Sequence, residues 1–157
     1  MTLPYLTPLD AAQLRSAGIP EPWNYGIADR VRFGEIDALN HVNNTAYLRW
    51  FEQFRTLYFR DYGISDFSED APTMVLRQVQ VDYLAELKFN DDYIVVGRST
   101  VMRRSSWVME YAVFAGGTLR TASSAVLVLL APDGRGKMDI PEGIRTTLRT
   151  RDNAHDS

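Results

Sequence analysis

One short stretch of the sequence gathers side chains suited to acid–base chemistry directly in front of an apolar, aromatic-rich segment. The stretch GEIDALNHVNN carries the acids Glu35 and Asp37, the histidine His41, and the amide pair Asn43 and Asn44. A carboxylate can activate or supply a nucleophile, and the unpaired N–H groups at the start of a helix can stabilise a developing oxyanion. Together these groups suit attack on a carbonyl carbon, and Asp37 is the first candidate for the carboxylate.

Each of these side chains also has a purely structural interpretation. Asp37 is of a type common in turns, and we interpret Glu35 as a solvated or salt-bridged acid. His41 can assist proton transfer or bind a substrate carbonyl, or it can simply fix the loop through a hydrogen bond. Asn44 is interpreted as the helix cap, whereas for Asn43 capping and orientation of the acid or a water are balanced.

The elements that must position this stretch follow from the hydrophobic pattern. From Asn44 to about Tyr62, apolar residues recur at spacings of three and four, which predicts a helix roughly 28 Å long. Period-two alternation or β-branched and aromatic residues predict strands at 28–34, 74–87, 92–104, 106–116 and 118–132, and only the last four are separated by short turns. Short turns imply antiparallel neighbours, so the predicted class is α+β, with one long antiparallel sheet around one apolar helix.

The ends of the chain differ in character from its middle. Residues 1–26 are predicted to be an N-terminal extension with a short helix, Ala11 to Ala17, and residues 150–157 a flexible, frayed tail. A final short helix is predicted to begin near Pro141. The main domain is then 27–149. A lone sheet of this size would leave two edges open, so we expect pairing with a second copy of the chain.

The composition excludes several classes of function. The chain has 157 residues, 45% hydrophobic and 24% charged, which is typical of one soluble domain. Its net charge of -3 gives no bulk attraction for nucleic acid. The absence of cysteine excludes disulfides and thiolate sites and fits a cytoplasmic protein, and two histidines argue against a zinc or iron site. No apolar run approaches the ~20 residues that a membrane span requires, so no membrane partner is expected.

A resemblance to a known family is carried by the stretch F-G-E-I-D-A-L-N-H-V-N-N-x-x-Y-L-R-W-F-E-x-x-R. It resembles the signature of the 4-hydroxybenzoyl-CoA thioesterase-like branch of the hotdog superfamily, and its H-V-N-N part resembles the plant acyl-ACP thioesterases. The ending A-P-D-G-R-G-K-M-D-I-P is similar to the same family, so the resemblance covers roughly residues 27–149. It implies a hotdog fold, an acyl-CoA or acyl-ACP substrate, no cofactor, and dimers or tetramers with active sites between subunits.

The resemblance also implies roles for individual residues. Asp37 matches the acid that the family uses as general base or nucleophile. Many bacterial relatives lack a histidine at the position of His41, so the resemblance does not require it, whereas the plant-like pattern raises the importance of His41 and Asn43. We expect Asn44 to contact the substrate, and Tyr47 to be core or a wall of the acyl pocket, because it shares a helix face with other aromatic residues. Relatives often contact the pantetheine or nucleotide of the substrate from a turn between two strands. In this chain that turn holds Arg103, Arg104, Ser105 and Ser106, and arginine suits phosphate. The alternative is a solvated hairpin end, since charged residues are common there.

Four functions are compatible with the sequence. An acyl-CoA thioesterase is the leading hypothesis, and an acyl-ACP thioesterase shares its chemistry but would need a basic surface for its acidic carrier protein. A dehydratase or hydratase places a histidine and an acid in different motifs, which are not found in this chain. A non-catalytic protein that binds acyl-CoA is the fourth hypothesis, because a fold does not determine a function.

Overall fold

The computed structural model describes residues 2–157 and shows an α+β protein. Its helices are α1 (Ala11–Ser16), α2 (Asn44–Asp61) and α3 (Glu142–Asp152). Its strands are β1 (Pro8–Leu9), β2 (Gly26–Arg30), β3 (Thr73–Tyr83), β4 (Asp92–Met102), β5 (Ser106–Ala115), β6 (Thr118–Leu130) and β7 (His155–Asp156). The predicted class is confirmed, and the long helix and the four long strands lie within a few residues of their predicted bounds.

The seven strands form one sheet in the order β1-β2-β4-β5-β6-β3, with β7 paired to β4 outside this path. β2 runs antiparallel to β4, with Gly26 opposite Val96 and Arg30 opposite Asp92. A long, mainly antiparallel sheet with one long helix is the arrangement expected for a hotdog fold. In the part of the chain that the structure describes, no helix combines the length and the apolar character needed to cross a membrane.

The first predicted strand, 28–34, is wrong in its bounds. β2 ends at Arg30, and a turn of 3-10 helix follows at Phe33–Glu35. The Glu35 carboxylate accepts the N–H of Arg32 at 2.8 Å, which closes this turn locally. The Phe33 ring is 79% exposed, so no core contact favours an extended chain there.

The chain divides into two compact units. The first comprises Met1–Arg55, Val81–Gly97 and Tyr111–Ser123, and the second comprises Thr56–Gln80, Arg98–Glu110 and Ser124–Ser157. In the first unit, the amino-terminal part of α2 packs its aromatic rings on the strands. Trp50 stacks on Tyr93 with ring centroids 3.9 Å apart, and Phe51 stacks on Tyr111 at 4.9 Å.

The N-terminal extension is built into the first unit. The predicted short helix is confirmed as α1, and the Asp10 side chain caps it by accepting the N–H of Gln13 at 2.9 Å. Leu9, Leu14 and Ile19 are buried in one apolar cluster together with residues of the sheet. β1 pairs with β2 over two residues only, so the sheet ends on this side in a very short edge strand.

The second unit includes the C-terminal segment, and the prediction of a flexible tail at 150–157 is wrong. α3 continues to Asp152, whose side chain is only 6% exposed. This carboxylate accepts hydrogen bonds from the hydroxyls of Tyr58 and Tyr62 and from the N–H of Ser99. The segment looked frayed because its residues are polar, yet one of them is the buried acceptor for two tyrosines.

Candidate active site

The loop between β2 and α2 holds Asp37 in a framework of main-chain hydrogen bonds. The N–H of Asp37 donates to the carbonyl of His41 at 2.9 Å, and the N–H of Asn40 donates to the carbonyl of Asp37 at 3.1 Å. The Oδ1 atom of Asp37 accepts the N–H of Leu39 at 2.9 Å. Within residues 2–157 the other carboxylate oxygen has no hydrogen-bond donor, so a half-buried acid keeps one oxygen open.

Glu35 ties this loop to α2, and its interpretation as a solvated or salt-bridged acid is wrong. Its Oε2 atom accepts the indole N–H of Trp50 at 2.6 Å, and its carbonyl accepts the N–H of Asn43 at 2.7 Å. Trp50 is buried, so the loop is anchored to the packed face of the helix. The contact joins side chains 15 residues apart, which local sequence patterns do not reveal.

Asn43 caps α2, which is one of its two open interpretations, and the interpretation of Asn44 as the cap is wrong. The Asn43 side-chain oxygen accepts the N–H and the hydroxyl of Thr45, each at 2.9 Å. Asn44 is exposed, and its carbonyl accepts the Tyr83 hydroxyl at 2.9 Å. The N–H of Asn44 has no acceptor among the residues that the structure describes, so the helix entrance presents an open donor.

Four of the predicted site residues line one cavity of about 410 Å³ in the first unit: Asp37, His41, Asn44 and Tyr47. Tyr47 is buried, as expected for core or a pocket wall, and packs on Trp50 and Tyr83 with ring centroids 4.8 Å and 5.2 Å away. Burial raises the pKa of the Tyr47 phenol, so its hydroxyl stays protonated at ordinary pH. The cavity therefore combines a carboxylate and an imidazole with an aromatic wall.

Glu86 is a further acid of this cavity, and no local pattern in the sequence points to it. Its Oε2 atom lies 2.9 Å from Nε2 of His41, and its Oε1 atom lies 3.8 Å from Nζ of Lys88. The guanidinium of Arg120 donates to the Glu86 carbonyl at 2.8 Å. Glu86 falls at the end of a predicted strand, where an acid is ordinarily a solvated residue, and its histidine partner is distant along the chain.

The predicted hairpin residues line a second cavity, of about 480 Å³, in the second unit. Its described lining includes four basic side chains and one acid, together with two serines: Arg77, Arg103, Arg104, Lys137, Asp139, Ser105 and Ser106. The acid accepts a hydrogen bond from Nε of Arg104 at 2.8 Å. A cavity with this excess of positive charge suits a phosphate group.

Similarity to known proteins covers both cavities. A sequence profile described as the thioesterase-like superfamily matches residues 31–148, which is most of the chain. The chain belongs to the thioesterase-like superfamily. This membership confirms the resemblance that the motif around Asp37 carries.

Solved structures support the same assignment for this thioesterase-like protein. A thioesterase superfamily structure from Jannaschia sp. CCS1 is 44% identical to this chain, with a TM-score of 0.95. The aligned region covers 99% of this chain and 100% of the Jannaschia chain. A thioesterase from Thermus thermophilus, solved with coenzyme A and Zn, is 32% identical, covers 87% of this chain and 99% of its own, and has a TM-score of 0.75. The hotdog fold is therefore confirmed.

A curated sequence relative is the Bacillus subtilis protein YsmA, which is 28% identical over 81 residues. The match covers 52% of this chain and 54% of YsmA, so the thioesterase-like chain spans about half the length of that relative.

Within residues 2–157, no group of three His, Asp or Glu side chains is arranged to hold a metal ion.

Proposed function

We propose that this protein is an acyl-CoA thioesterase, which hydrolyses a thioester to a free acid and coenzyme A. The observation that carries the proposal is the cavity of the first unit. One oxygen of Asp37 is open there, and Asn44, whose N–H lacks an acceptor among the described residues, lines the same cavity. Membership of the thioesterase-like superfamily supports the reaction, and the coenzyme A bound by the Thermus relative supports the carrier.

In the proposed reaction, the open oxygen of Asp37 takes a proton from a water molecule whose oxygen attacks the thioester carbonyl carbon. The N–H of Asn44, at the positive end of the α2 dipole, donates to the oxyanion that forms. The C–S bond then breaks, and the leaving thiolate takes up the proton that Asp37 holds, which restores the carboxylate. The alternative is direct attack by Asp37 on the carbonyl carbon, which breaks the C–S bond, releases the thiolate and forms an acyl anhydride that water hydrolyses in a second step.

The basic cavity of the second unit is the proposed anchor for the phosphates of coenzyme A. The carrier has a 3′-phosphate and a pyrophosphate, and guanidinium groups bind such oxygens through paired N–H donors. Arg103 and Arg104 supply these donors, and Ser105 and Ser106 supply hydroxyls. Because the phosphates do not react, these contacts contribute to substrate binding more than to the chemical step.

We also propose that the protein assembles as a homodimer through β3, from which a tetramer can be built. β3 ends the strand order of the sheet, and most of its residues are exposed. Val75 is 41% and Leu76 is 43% exposed, although both are apolar. A long edge strand with exposed apolar residues favours pairing with another strand, and a two-fold axis would let β3 pair with its own copy.

A hydrolysis screen with purified protein tests the reaction, using short, long and aromatic acyl-CoAs and a chromogenic thiol reagent. Asp37→Asn is expected to lower kcat by roughly 10²- to 10⁴-fold, because the amide cannot act as base or nucleophile. The loop should survive, since the amide oxygen can still accept the N–H of Leu39. Asp66→Asn is the matched control, because Asp66 accepts the N–H of Ser68 at 2.9 Å in a similar turn.

The outcomes separate the competing functions. Hydrolysis by Asp37→Asn at the wild-type rate would show that the mechanism is wrong. Tight acyl-CoA binding without thiol release would favour a non-catalytic binding protein. The same acyl group delivered on acyl carrier protein and on coenzyme A compares the carriers, and faster release from the carrier protein would favour an acyl-ACP thioesterase.

A further inference from the structure

Glu86 is an acid of the cavity wall that the proposed reaction does not use. Its Oε2 atom lies 2.9 Å from Nε2 of His41, and the two side chains are 49% and 38% exposed. An ion pair this exposed contributes little to stability, because water screens it and both side chains lose freedom. What the contact offers is therefore a defined orientation of the imidazole ring.

We infer that Glu86 is a positioning residue that acts through His41, an inference that rests on the proposed function. The carboxylate oxygen of Glu86 can accept but not donate a hydrogen bond and lies 2.9 Å from Nε2, so this contact favours the neutral ring that carries its proton on Nε2. Nδ1 then keeps its lone pair. Within residues 2–157 the His41 side chain has no other polar partner, so Nδ1 is the nitrogen that can accept a hydrogen bond from a water in the cavity.

The main chain at Glu86 is held in place by hydrogen bonds to Arg120. The Arg120 carbonyl accepts the N–H groups of Leu84 and Ala85 at 2.9 Å and 3.0 Å, and the Arg120 guanidinium donates to the Glu86 carbonyl at 2.8 Å. Three hydrogen bonds thus attach this short segment to one residue of β6. None of them involves the Glu86 carboxylate, which is left to His41 and, more distantly, Lys88.

His41 and Asp37 belong to the same small loop, so an oriented His41 ring can act on a water molecule near Asp37. The N–H of Asp37 donates to the His41 carbonyl at 2.9 Å, and both side chains line the cavity. In the inferred arrangement, a water of this cavity donates one hydrogen to Nδ1 of His41 and gives its other proton to the open carboxylate oxygen of Asp37. Glu86 sets the tautomer, His41 orients the water, and Asp37 remains the base.

A double-mutant cycle tests whether Glu86 acts through His41. Glu86→Ala is expected to lower kcat about tenfold with little change in KM, as a part of the full acid–base contribution. Glu86→Gln keeps an acceptor oxygen and should restore most of this loss. In a His41→Ala background, Glu86→Ala should have no further effect, because the two residues work as one unit.

A matched control uses an exposed ion pair of the other unit. Glu142→Gln removes the charge that pairs with Arg149 at 2.8 Å and should leave kcat unchanged. Thermal unfolding of every variant checks the fold. Arg120 contacts the main chain of residue 86, which alanine retains, so Glu86→Ala should unfold near the wild-type temperature.

The tautomer provides a readout that does not depend on activity. The chain has two histidines, so ¹⁵N NMR of the wild type and of His155→Gln assigns the His41 ring. At about pH 8.5, where histidine is ordinarily neutral, the tautomer with the proton on Nε2 should be more populated in the wild type than in Glu86→Ala, whose ring exchanges between both tautomers.

Three results would overturn the inference: wild-type kcat in Glu86→Ala, an equal loss of kcat in both backgrounds, or a tautomer that Glu86→Ala does not change. A failure of the proposed function is distinguishable, because it appears as no thiol release from the wild-type protein. The NMR comparison of the ring tautomer would be unaffected by that failure.

Discussion

At the scale of single residues, the polar groups at the entrance of α2 divide into those that build the loop and those that face the cavity. Glu35 and Asn43 use their side chains on the protein itself, on Trp50 and Thr45. Asp37 keeps an oxygen open to the cavity. Polar residues at the end of a buried helix are thus explained partly by folding and partly by proposed chemistry.

Asn43 allows these two roles to be separated. Asn43→Ala should lower the free energy of unfolding by about 1 kcal/mol, because the N–H of Thr45 loses its acceptor. Asn43→Ser should keep the cap and most of the stability. Urea denaturation of both variants measures this. If Asn43 also orients the acid or a water, Asn43→Ser will lower kcat while its unfolding midpoint stays close to that of the wild type.

Asp152 gives a pH dependence of stability with a defined sign. Burial raises the pKa of this carboxyl in the folded protein, although its three donors act in the opposite direction. The folded state therefore holds the proton more tightly than the unfolded state, and the stabilisation is complete below the ordinary aspartate pKa, about 4. It is lost as pH rises through the raised pKa of the folded state.

Comparison with Asp152→Asn measures this effect. The difference in free energy of unfolding, wild type minus variant, should fall as pH rises above about 4 and then level off at higher pH. Guanidinium denaturation across this range provides the values. A difference that rises with pH would mean that the hydrogen bonds from Tyr58, Tyr62 and Ser99 outweigh the burial.

The basic cavity predicts a carrier-dependent effect on KM. The double variant Arg103→Ala, Arg104→Ala should raise KM for an acyl-CoA about tenfold or more, because charge-assisted hydrogen bonds to phosphate are lost. The same acyl group on pantetheine has no nucleotide phosphates, so its KM should not change. Steady-state kinetics on both substrates gives the comparison, and an equal rise for both would argue against a phosphate anchor.

At the scale of elements, α2 packs closely on β4 at Gly97. A Cβ atom at this position would lie 2.5 Å from the ring of Phe54 and 3.0 Å from the ring of Tyr111. Both rings are buried and cannot swing aside. The absence of a side chain in β4 therefore sets how closely the helix packs on the strands of the first unit.

Gly97→Ala should therefore destabilise the protein by about 1–3 kcal/mol through overpacking. Gly143→Ala is the matched control, because a Cβ there meets no atom within 4 Å, and it should be neutral or stabilising by about 0.5–1 kcal/mol. Chemical denaturation of both variants checks the pair. A neutral Gly97→Ala would show that the helix can shift on the sheet.

The long elements could be predicted from the sequence, whereas the contacts between distant segments could not. The helix from Asn44 and the four long strands carry their periodicity in their own residues. The two-residue strands β1 and β7 exist only through their pairing, and no period is readable over two residues.

The candidate site divides in the same way. Asp37 and His41 stand in a motif, so they could be predicted, and the structure places them on one cavity. Glu86 reaches that cavity from another segment, and Glu35 bonds to a tryptophan on the helix face. Asn43 and Asn44 are adjacent residues of the same type, so the sequence cannot decide which of them accepts the N–H of Thr45. The conformation of the loop decides this, and in the structure it is Asn43.

At the scale of the whole molecule, the exposed edge strand β3 is the feature that favours association with a second copy of the chain. Replacing Val75 and Leu76 by lysine should convert the proposed dimer to a monomer, because charged edge strands resist pairing. Analytical ultracentrifugation measures the mass. Val75→Thr, which keeps the branched shape, is the control and should stay dimeric. A monomeric wild type would contradict the proposed assembly.

The hydrogen bond between Trp50 and Glu35 supplies a natural optical reporter. Indole emission shifts in colour and intensity when its N–H partner or its stacking neighbour changes. The chain has three tryptophans, so replacing Trp23 and Trp107 by phenylalanine leaves Trp50 as the sole indole emitter. Ligand arrival at the neighbouring loop could then be followed in real time by stopped-flow fluorescence, with no dye attached to the protein.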